Sequence, residues 1–300
     1  MSVEVRVALL IGLFVVGFVA RRLGWLKPPN AGFMLRTVIN VGLPAMFIAD
    51  VSRIELRSDL LALPASSLSI MLVTWGLSLL VGRAMGLTRA DQGTTTISAM
   101  SINNGFLFPF VLAVWGAGGF GQMALFDLGH VLGQSLLVYA IAATFGGHAT
   151  GFGSILRRVL RFPPLWALVV ALLLNVSDTA LPGWLISVLR TVGQGILLLV
   201  IVALGVLFDA KLLRDRRVPV ILLLRMPLGL LVGYLCVLAF GLEGLTASVV
   251  LLGAAAPIGF NAVVLSDLEK LNRELSASAA SISVLLALVY VPLALWLLPG

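Results

Sequence analysis

Two stretches, Met100-Ser-Ile-Asn-Asn-Gly-Phe-Leu-Phe-Pro109 and Ala254-Ala-Ala-Pro-Ile-Gly-Phe-Asn261, decide how this chain folds. Each lies inside an apolar segment long enough to cross a bilayer, yet each contains residues that interrupt a helix. Proline removes a backbone donor, glycine weakens a helix, and asparagine carries an amide that needs partners. In hydrocarbon, such an interruption is tolerated only where protein or a water-filled cavity satisfies the freed backbone groups. The sequence therefore predicts two helices that break inside the membrane.

The composition is that of an all-α integral membrane protein. Of the 300 residues, 60% are hydrophobic and 11% are charged, and the mean hydropathy is +1.11. In a soluble domain, about a quarter of the residues are charged. The net charge of +7 comes from basic residues in short loops. Basic residues in such loops indicate membrane topology, so the charge is not interpreted as a nucleic-acid binding surface and nucleic acid is excluded as a partner. The single Cys236 excludes an internal disulfide.

Apolar runs of about 20 residues predict ten transmembrane helices. The first run is interpreted as a span and not as a signal peptide, because Glu4 precedes it and Arg21-Arg22 closes it with no cleavage site. The predicted spans are 5–20, 34–50, 61–81, 95–114, 123–145, 164–176, 185–207, 218–240, 246–265 and 276–298.

The loop charges predict the orientation. Fifteen Lys and Arg residues lie in the odd-numbered loops, whereas Arg6, Arg53 and Arg57 are the three on the other side. Cytoplasmic loops carry the excess of basic residues. Both termini are therefore predicted to lie on the non-cytoplasmic side.

The second half of the chain repeats the first. Leu35-Arg-Thr-Val38 recurs as Leu189-Arg-Thr-Val192, an offset of 154, and at that offset 103–105 falls on 257–259. Because one repeat has five spans, an odd number, the second repeat enters the membrane from the opposite side. The predicted organisation is two inverted five-helix repeats: 1–145 with spans 1–5, and 164–300 with spans 6–10.

The segment 146–163 joins the two repeats and is predicted to be a cytoplasmic linker. It begins with a glycine-rich run and continues with Arg157, Arg158 and Arg161 before Pro163-Pro164. Basic side chains of this kind bind the anionic headgroups of the inner leaflet, so membrane lipid is an expected partner.

A series of motifs in a fixed order resembles the auxin efflux carrier family of membrane transporters, which includes bacterial permeases for small organic acids. The likeness covers nearly the whole chain. The motifs are Val38–Phe47, Asn103–Pro109, Trp115-Gly-Ala-Gly-Gly119, Ala256–Leu265, Ser281-Ile-Ser283 and Tyr290-Val-Pro292.

The resemblance implies a fold shared with bile-acid transporters and sodium/proton antiporters. Spans 1, 2, 6 and 7 would form a scaffold, through which the protein would pair as a homodimer. Spans 3–5 and 8–10 would form a moving core, in which helices 4 and 9 cross as broken helices. The core would carry an anion by an elevator-like movement in a bacterial-type plasma (inner) membrane.

The breaks are the predicted binding site for that anion. Two interrupted spans at corresponding places in the two halves indicate the site of a transporter. Half-helix N-termini offer free N–H groups and about half a positive charge, which suit a carboxylate. An alternative is that the asparagines only satisfy broken backbone. The predicted substrate-binding residues are Asn103, Asn104, Gly105, Pro109, Pro257, Gly259 and Asn261.

Charged residues inside spans are candidates for coupling. Asp127 and His130 lie three apart on one helix face and are candidates for binding a proton or a cation; alternatively, Asp127 only meets water near the outer end. Arg225 would pair with substrate or with a carboxylate, or reach the interface. Asp50 is expected to be solvated and Arg190 to be an anchor.

Three uncharged positions on the predicted scaffold are candidates for lining the substrate path, namely Asn40, Pro44 and Gln194. The alternative for the two amides is a hydrogen bond between helices. Neither a cofactor nor a bound metal is predicted; coupling to a proton or to sodium stays open.

The predicted function is transport of small organic carboxylate anions. An intramembrane enzyme is disfavoured, because neither His130 nor His148 belongs to a His-Glu-x-x-His motif and no paired acidic residues lie deep in the spans. The alternatives that remain are a proton- or sodium-coupled cation antiporter of the same fold and, less favoured, an anion channel.

Overall fold

The computed structural model describes residues 2–55, 57–147, 153, 157, 160–208 and 215–299. These residues form an all-helical bundle in which one isolated β-bridge is the only extended pairing. The elements are α1 Val3–Arg22, α2 Pro28–Val51, α3 Ala62–Ala84, α4 Arg89–Met100, α5 Asn104–Gly146, α6 Pro163–Val176, α7 Gly183–Leu207, α8 Arg217–Phe240, α9 Gly244–Ala254, α10 Asn261–Leu268 and α11 Arg273–Leu297.

Six helical segments in the described part of the chain are long and apolar enough to cross a membrane. They are α2, α3, α5, α7, α8 and α11, while α6 and α9 are shorter apolar helices. Large apolar side chains cover the outside of the bundle, among them Leu80, Leu173 and Leu235. Because such an apolar surface is stable in lipid and not in water, the architecture is that of an integral membrane protein, as predicted.

The predicted spans coincide with these helices in different ways. Spans 1, 2, 3, 6, 7, 8 and 10 each correspond to one helix. Span 4 is divided between α4 and the start of α5, and span 9 between α9 and α10. Within α5 the backbone turns at Gly116, which has φ +65° and ψ −156° and separates the end of predicted span 4 from span 5. The count of ten spans stays a prediction. Most of the predicted linker 146–163 lies outside the described residues.

Helix packing divides the bundle into two groups. The helices α1, α2, α6 and α7 pack on one another, and α3, α4, α5, α8, α9 and α11 pack together as a second group. The two groups meet where α5 contacts α1, α2 and α7.

Glycines bring α1 and α7 into close contact. A Cβ added at Gly17 would lie 2.1 Å from the Val202 carbonyl oxygen, and one added at Gly205 would lie 2.1 Å from the Phe14 oxygen. Arg21 fixes the end of α7 by donating to the carbonyl oxygens of Val206 and Phe208. Membrane helices use small residues in this way because close approach increases their packing contact.

We expect Gly205→Ala to destabilise the protein by about 1–3 kcal/mol, because the new methyl group forces α1 and α7 apart. Thermal unfolding in detergent measures the effect. The matched control is Gly12→Ala on α1, since no atom lies within 4 Å of a Cβ added there. Equal melting temperatures for the two variants would contradict a tight α1–α7 interface.

A polar cluster joins the first turns of α4, α8 and α11. The Asp91 carboxylate pairs with Arg217 at 2.6 Å and accepts hydrogen bonds from Asn272 Nδ2 and Thr88 Oγ1. Asp215 also binds Arg217, and that hydrogen bond holds the pKa of the Asp215 carboxyl below its ordinary value. The cluster fixes one end of the second group of helices.

Candidate functional site

Both predicted stretches interrupt their helices. The helix α4 ends at Met100 and α5 begins at Asn104, while α9 ends at Ala254 and α10 begins at Asn261. We call residues 101–103 the first break and residues 255–260 the second break. Each break leaves four carbonyl groups of the preceding helix and four N–H groups of the following helix without intrahelical partners.

The two breaks lie against each other and pair as a short antiparallel bridge. Ile102 lies opposite Ile258, the Asn103 N–H donates to the Pro257 oxygen at 2.9 Å, and the Gly259 N–H donates to the Ser101 oxygen at 3.0 Å. A Cβ added at Gly259 would lie 3.0 Å from the Ile102 oxygen. The close approach therefore depends on a residue without a side chain at this position. Four helix ends converge on one place inside the protein.

Asn103 caps the helix that follows the first break. Its Oδ1 accepts from the Phe106 N–H at 3.1 Å, and its Nδ2 donates to the Ile258 oxygen at 3.4 Å. The side chain is buried and both of its polar ends have partners. Asn103 thus satisfies broken backbone in this conformation, as the alternative interpretation of the sequence states.

Asn104 joins the first break to a carboxylate on the same long helix. Its Nδ2 donates to Asp127 Oδ1 at 2.6 Å, while its buried Oδ1 has no hydrogen-bond partner. Asp127 is only 9% exposed, so it does not reach headgroup water. The sequence analysis did not predict this contact.

His130 connects Asp127 with the backbone of the first break. The Ile102 N–H donates to His130 Nε2 at 3.2 Å, and His130 Nδ1 lies 3.1 Å from Asp127 Oδ1. At the second break, the equivalent N–H of Ile258 donates to the hydroxyl of Ser283 at 3.0 Å. The sequence analysis singled out His130 as a candidate for coupling and Ser283 only as part of a family motif.

The remaining predicted binding residues differ in exposure. Pro257, Gly259 and Pro109 are buried, Gly105 is partly buried, and the side chain of Asn261 at the start of α10 is exposed. Pro109 has no N–H, so the Gly105 carbonyl receives no helical hydrogen bond from that position. The first turn of α5 therefore contains a carbonyl group that lacks its helical donor, and the second break is followed by an accessible amide.

Arg225 lies against the end of α9, just before the second break. It is fully buried, and its Nη2 donates to the Gly253 oxygen at 3.2 Å. Nε and Nη1 have no hydrogen-bond partner, and no carboxylate of the described residues pairs with the guanidinium. Beside it, the Tyr290 hydroxyl donates to the Ala255 oxygen. Complete burial excludes the alternative in which Arg225 reaches the interface.

The candidates for a substrate path fall into two places. Gln194 and Pro109 line one groove of about 720 Å³ between α1, α5 and α7, with Arg6 at its edge. Asn40 is exposed and Pro44 is partly buried, both on α2, and neither lines that groove. The structure thus brings one of the three predicted path residues next to the helix that follows the first break.

Asp50 and Arg190 form an ion pair that the sequence analysis missed. The Asp50 carboxylate on α2 lies 2.6 Å from Arg190 on α7 and is fully enclosed. The expectation that Asp50 is solvated was wrong, because α7 packs over the end of α2 and supplies the counter-charge. The pair borders a polar cavity of about 310 Å³ that also contains Arg53 and Gln122. Asp50 and Arg190 are 140 positions apart, so no pattern of neighbouring residues in the sequence indicates that they meet.

The described residues contain no group of three or more His, Cys, Asp and Glu side chains that could hold a metal ion. The groups at the crossing point are amides, hydroxyls, backbone N–H and C=O groups, one carboxylate, one imidazole and one guanidinium.

Broken apolar helices that meet inside an all-helical membrane bundle are the architecture of a membrane transporter. Comparison with known proteins agrees with this class. The family model described as Membrane transport protein matches residues 151–296. An uncharacterized transporter of Methanothermobacter thermautotrophicus is 28% identical over 302 residues, which cover 97% of each chain. Both similarities support the resemblance to the auxin efflux carrier family of membrane transporters that the sequence indicates.

Proposed function

We propose that this transporter moves small organic carboxylate anions across the membrane and binds them where the two breaks meet. The observation that carries the proposal is the buried Arg225 beside the second break, which has no carboxylate partner among the described residues. An unpaired charge inside a membrane protein is costly and is retained for a function. A guanidinium at the crossing point favours an anion over a cation there.

The helix ends supply the groups that would hold the carboxylate. The first N–H groups of α5, at Asn104 and Gly105, and the amide of Asn261 on α10 are the proposed donors. Helix N-termini bind anions through such N–H groups and through the positive end of the helix dipole.

An elevator-like movement follows from the proposed organisation into ten spans and two inverted repeats. In this proposal, the helices α1, α2, α6 and α7 form the scaffold, and the others form the core that carries the site. Contacts within each group support this division, as do the exposed apolar residues on α6 and α7 that would face lipid or a second copy. We further propose a homodimer in a bacterial-type plasma membrane, with both termini on the non-cytoplasmic side.

A coupled cation antiporter of the same fold is the second candidate. The observation in its favour is the buried Asp127, which lies within hydrogen-bond distance of Asn104 at the first break. A carboxylate in that position can bind a proton or a cation. Uptake of labelled malate, malonate and benzoate into proteoliposomes, with and without proton and sodium gradients, separates the candidates. Cation exchange without movement of any organic anion would refute anion transport.

We expect Asn261→Ala to lower carboxylate uptake at least ten-fold without loss of folded protein, because the accessible amide at the start of α10 is removed. Uptake at matched protein content and size-exclusion profiles in detergent measure the two quantities. The control is Val264→Ala, an exposed apolar residue on the same helix α10. Unchanged kinetics in Asn261→Ala would remove this residue from the site.

A further inference from the structure

His130 receives a backbone hydrogen bond that fixes its chemical form. Because the Ile102 N–H donates to Nε2, that nitrogen carries a lone pair and no proton. The proton of the neutral ring is therefore on Nδ1, which donates to Asp127 Oδ1. The same oxygen accepts from the Asn104 amide. A continuous chain of hydrogen bonds thus runs from the first break through His130 and Asp127 to the helix that begins at Asn104.

The second break shows that a histidine is not needed to hold such an N–H. Ile258 lies opposite Ile102 in the bridge, and its N–H is held by the hydroxyl of Ser283. A hydroxyl satisfies the same donor without titrating. The first break instead uses the one side-chain type whose ordinary pKa lies near physiological pH. The asymmetry between two equivalent backbone groups points to a role for the proton of His130.

Few polar groups surround His130. From its own helix it faces Asp127, and the nearby polar groups are the amides of Asn104 and Gln134 and the hydroxyl of Ser101. On α3, Pro64 lies nearest to Gly129, and Leu68 and Met71 lie nearest to Gly133. A small cavity beside Asp127 is lined by apolar side chains from the regions of α2, α5 and α6. They are Phe47, Ala124, Leu128, Val131, Phe162, Pro164, Leu165 and Leu168. Among the described residues, Asp127 is the ionisable group that contacts the imidazole.

We infer that His130 binds one proton together with each carboxylate at the crossing point. The inference rests on the proposed function. When His130 takes up a proton from water at Nε2, that nitrogen no longer has a lone pair. It can then no longer accept the hydrogen bond from the Ile102 N–H. Both groups then become donors at the first break, where a carboxylate accepts from them. Binding of the anion increases the affinity of the imidazole for its proton, and protonation of the imidazole increases the affinity for the anion by the same factor.

Charge balance at the crossing point agrees with this coupling. In this inference, the empty site carries one positive charge on Arg225, one negative charge on Asp127 and no charge on His130. A bound monocarboxylate adds one negative charge, and one proton on His130 removes it. The loaded site is then neutral, which lowers the cost of carrying it through the membrane.

The protonation of His130 can be measured directly, because the chain contains only two histidines. In a His148→Gln background, ¹⁵N-histidine NMR in detergent reports a single imidazole. We expect the neutral ring to carry its proton on Nδ1. Saturating benzoate or malonate should raise the pKa of His130 by at least one unit, equal to a ten-fold coupling. The opposite tautomer, or the same titration with and without the acids, would overturn the inference.

Transport provides the second measurement, with His148→Gln as the matched control. Proteoliposomes that contain a pH-sensitive dye should acidify when the control protein takes up labelled acid, beyond the signal of protein-free liposomes. In His130→Gln, the glutamine oxygen can accept from Ile102 but does not titrate. Uptake should be slower, and the acidification per molecule of acid taken up should fall to the level of protein-free liposomes. Acidification that persists in His130→Gln overturns the inference. Absence of uptake by the unsubstituted protein at every pH refutes the proposed function instead, while the NMR titration still tests the hydrogen-bond chain.

Discussion

Gly259→Val is expected to reduce carboxylate uptake at least a hundred-fold while the protein still inserts and folds. A Cβ at this position already lies 3.0 Å from the Ile102 oxygen and 3.4 Å from the Ile102 carbonyl carbon, and valine adds two methyl groups beyond it. The bridge between the breaks must then separate, which removes the hydrogen bonds from Gly259 to Ser101 and from Asn103 to Pro257. The helix ends would no longer point at one place.

The measurement is the initial rate of uptake by proteoliposomes with equal amounts of reconstituted protein. Gly76→Val is the matched control, because Gly76 lies within α3 and no atom lies within 4 Å of a Cβ added there. Overpacking at Gly259 costs about 1–3 kcal/mol of stability, which a folded membrane protein can tolerate in detergent. Uptake by Gly259→Val at the rate of the control would show that transport does not depend on the contact between the breaks.

The sequence was sufficient to predict the breaks because their causes are local. Glycine weakens a helix and proline removes one of its hydrogen bonds, and in both stretches these residues are grouped with asparagine. The apolar runs on either side fix the depth of the interruption. The helices therefore end at Met100 and Ala254, inside the stretches that the pattern indicates. The same local reasoning gave most helix bounds within a few residues.

Contacts between distant residues could not be predicted in this way. The pairing of Asp127 with Asn104 depends on how the two parts of α5 turn at Gly116. The pairing of Asp50 with Arg190 depends on the packing of α7 over α2. In both cases the rotation of a helix about its axis decides which polar residue meets which. Periodicity identifies the polar residues but leaves their partners open, which is why Asp50 was expected to meet solvent.

Arg225→Met is expected to abolish selectivity for anions and to leave stability unchanged or increased. The guanidinium is fully buried, has two nitrogens without partners and is held by one carbonyl oxygen. Replacing buried charged groups by apolar residues of similar size is often neutral or stabilising by about 1–4 kcal/mol. At an effective dielectric constant of about 20, a unit charge about 10 Å from a carboxylate contributes about 1.7 kcal/mol to its binding. Anion affinity should therefore fall at least ten-fold.

Opposite effects on stability and on transport distinguish a role in function from a role in structure. If Arg225 only fixed the end of α9, its loss would lower the melting temperature and the uptake together. Arg225→Lys provides the control, because lysine keeps the positive charge but has no planar fork to reach several acceptors. Uptake that Lys restores in part and Met does not would assign the effect to the charge. Full uptake by Arg225→Met would refute the argument for an anion, because the buried cation beside the second break is what distinguishes this site from that of a cation antiporter.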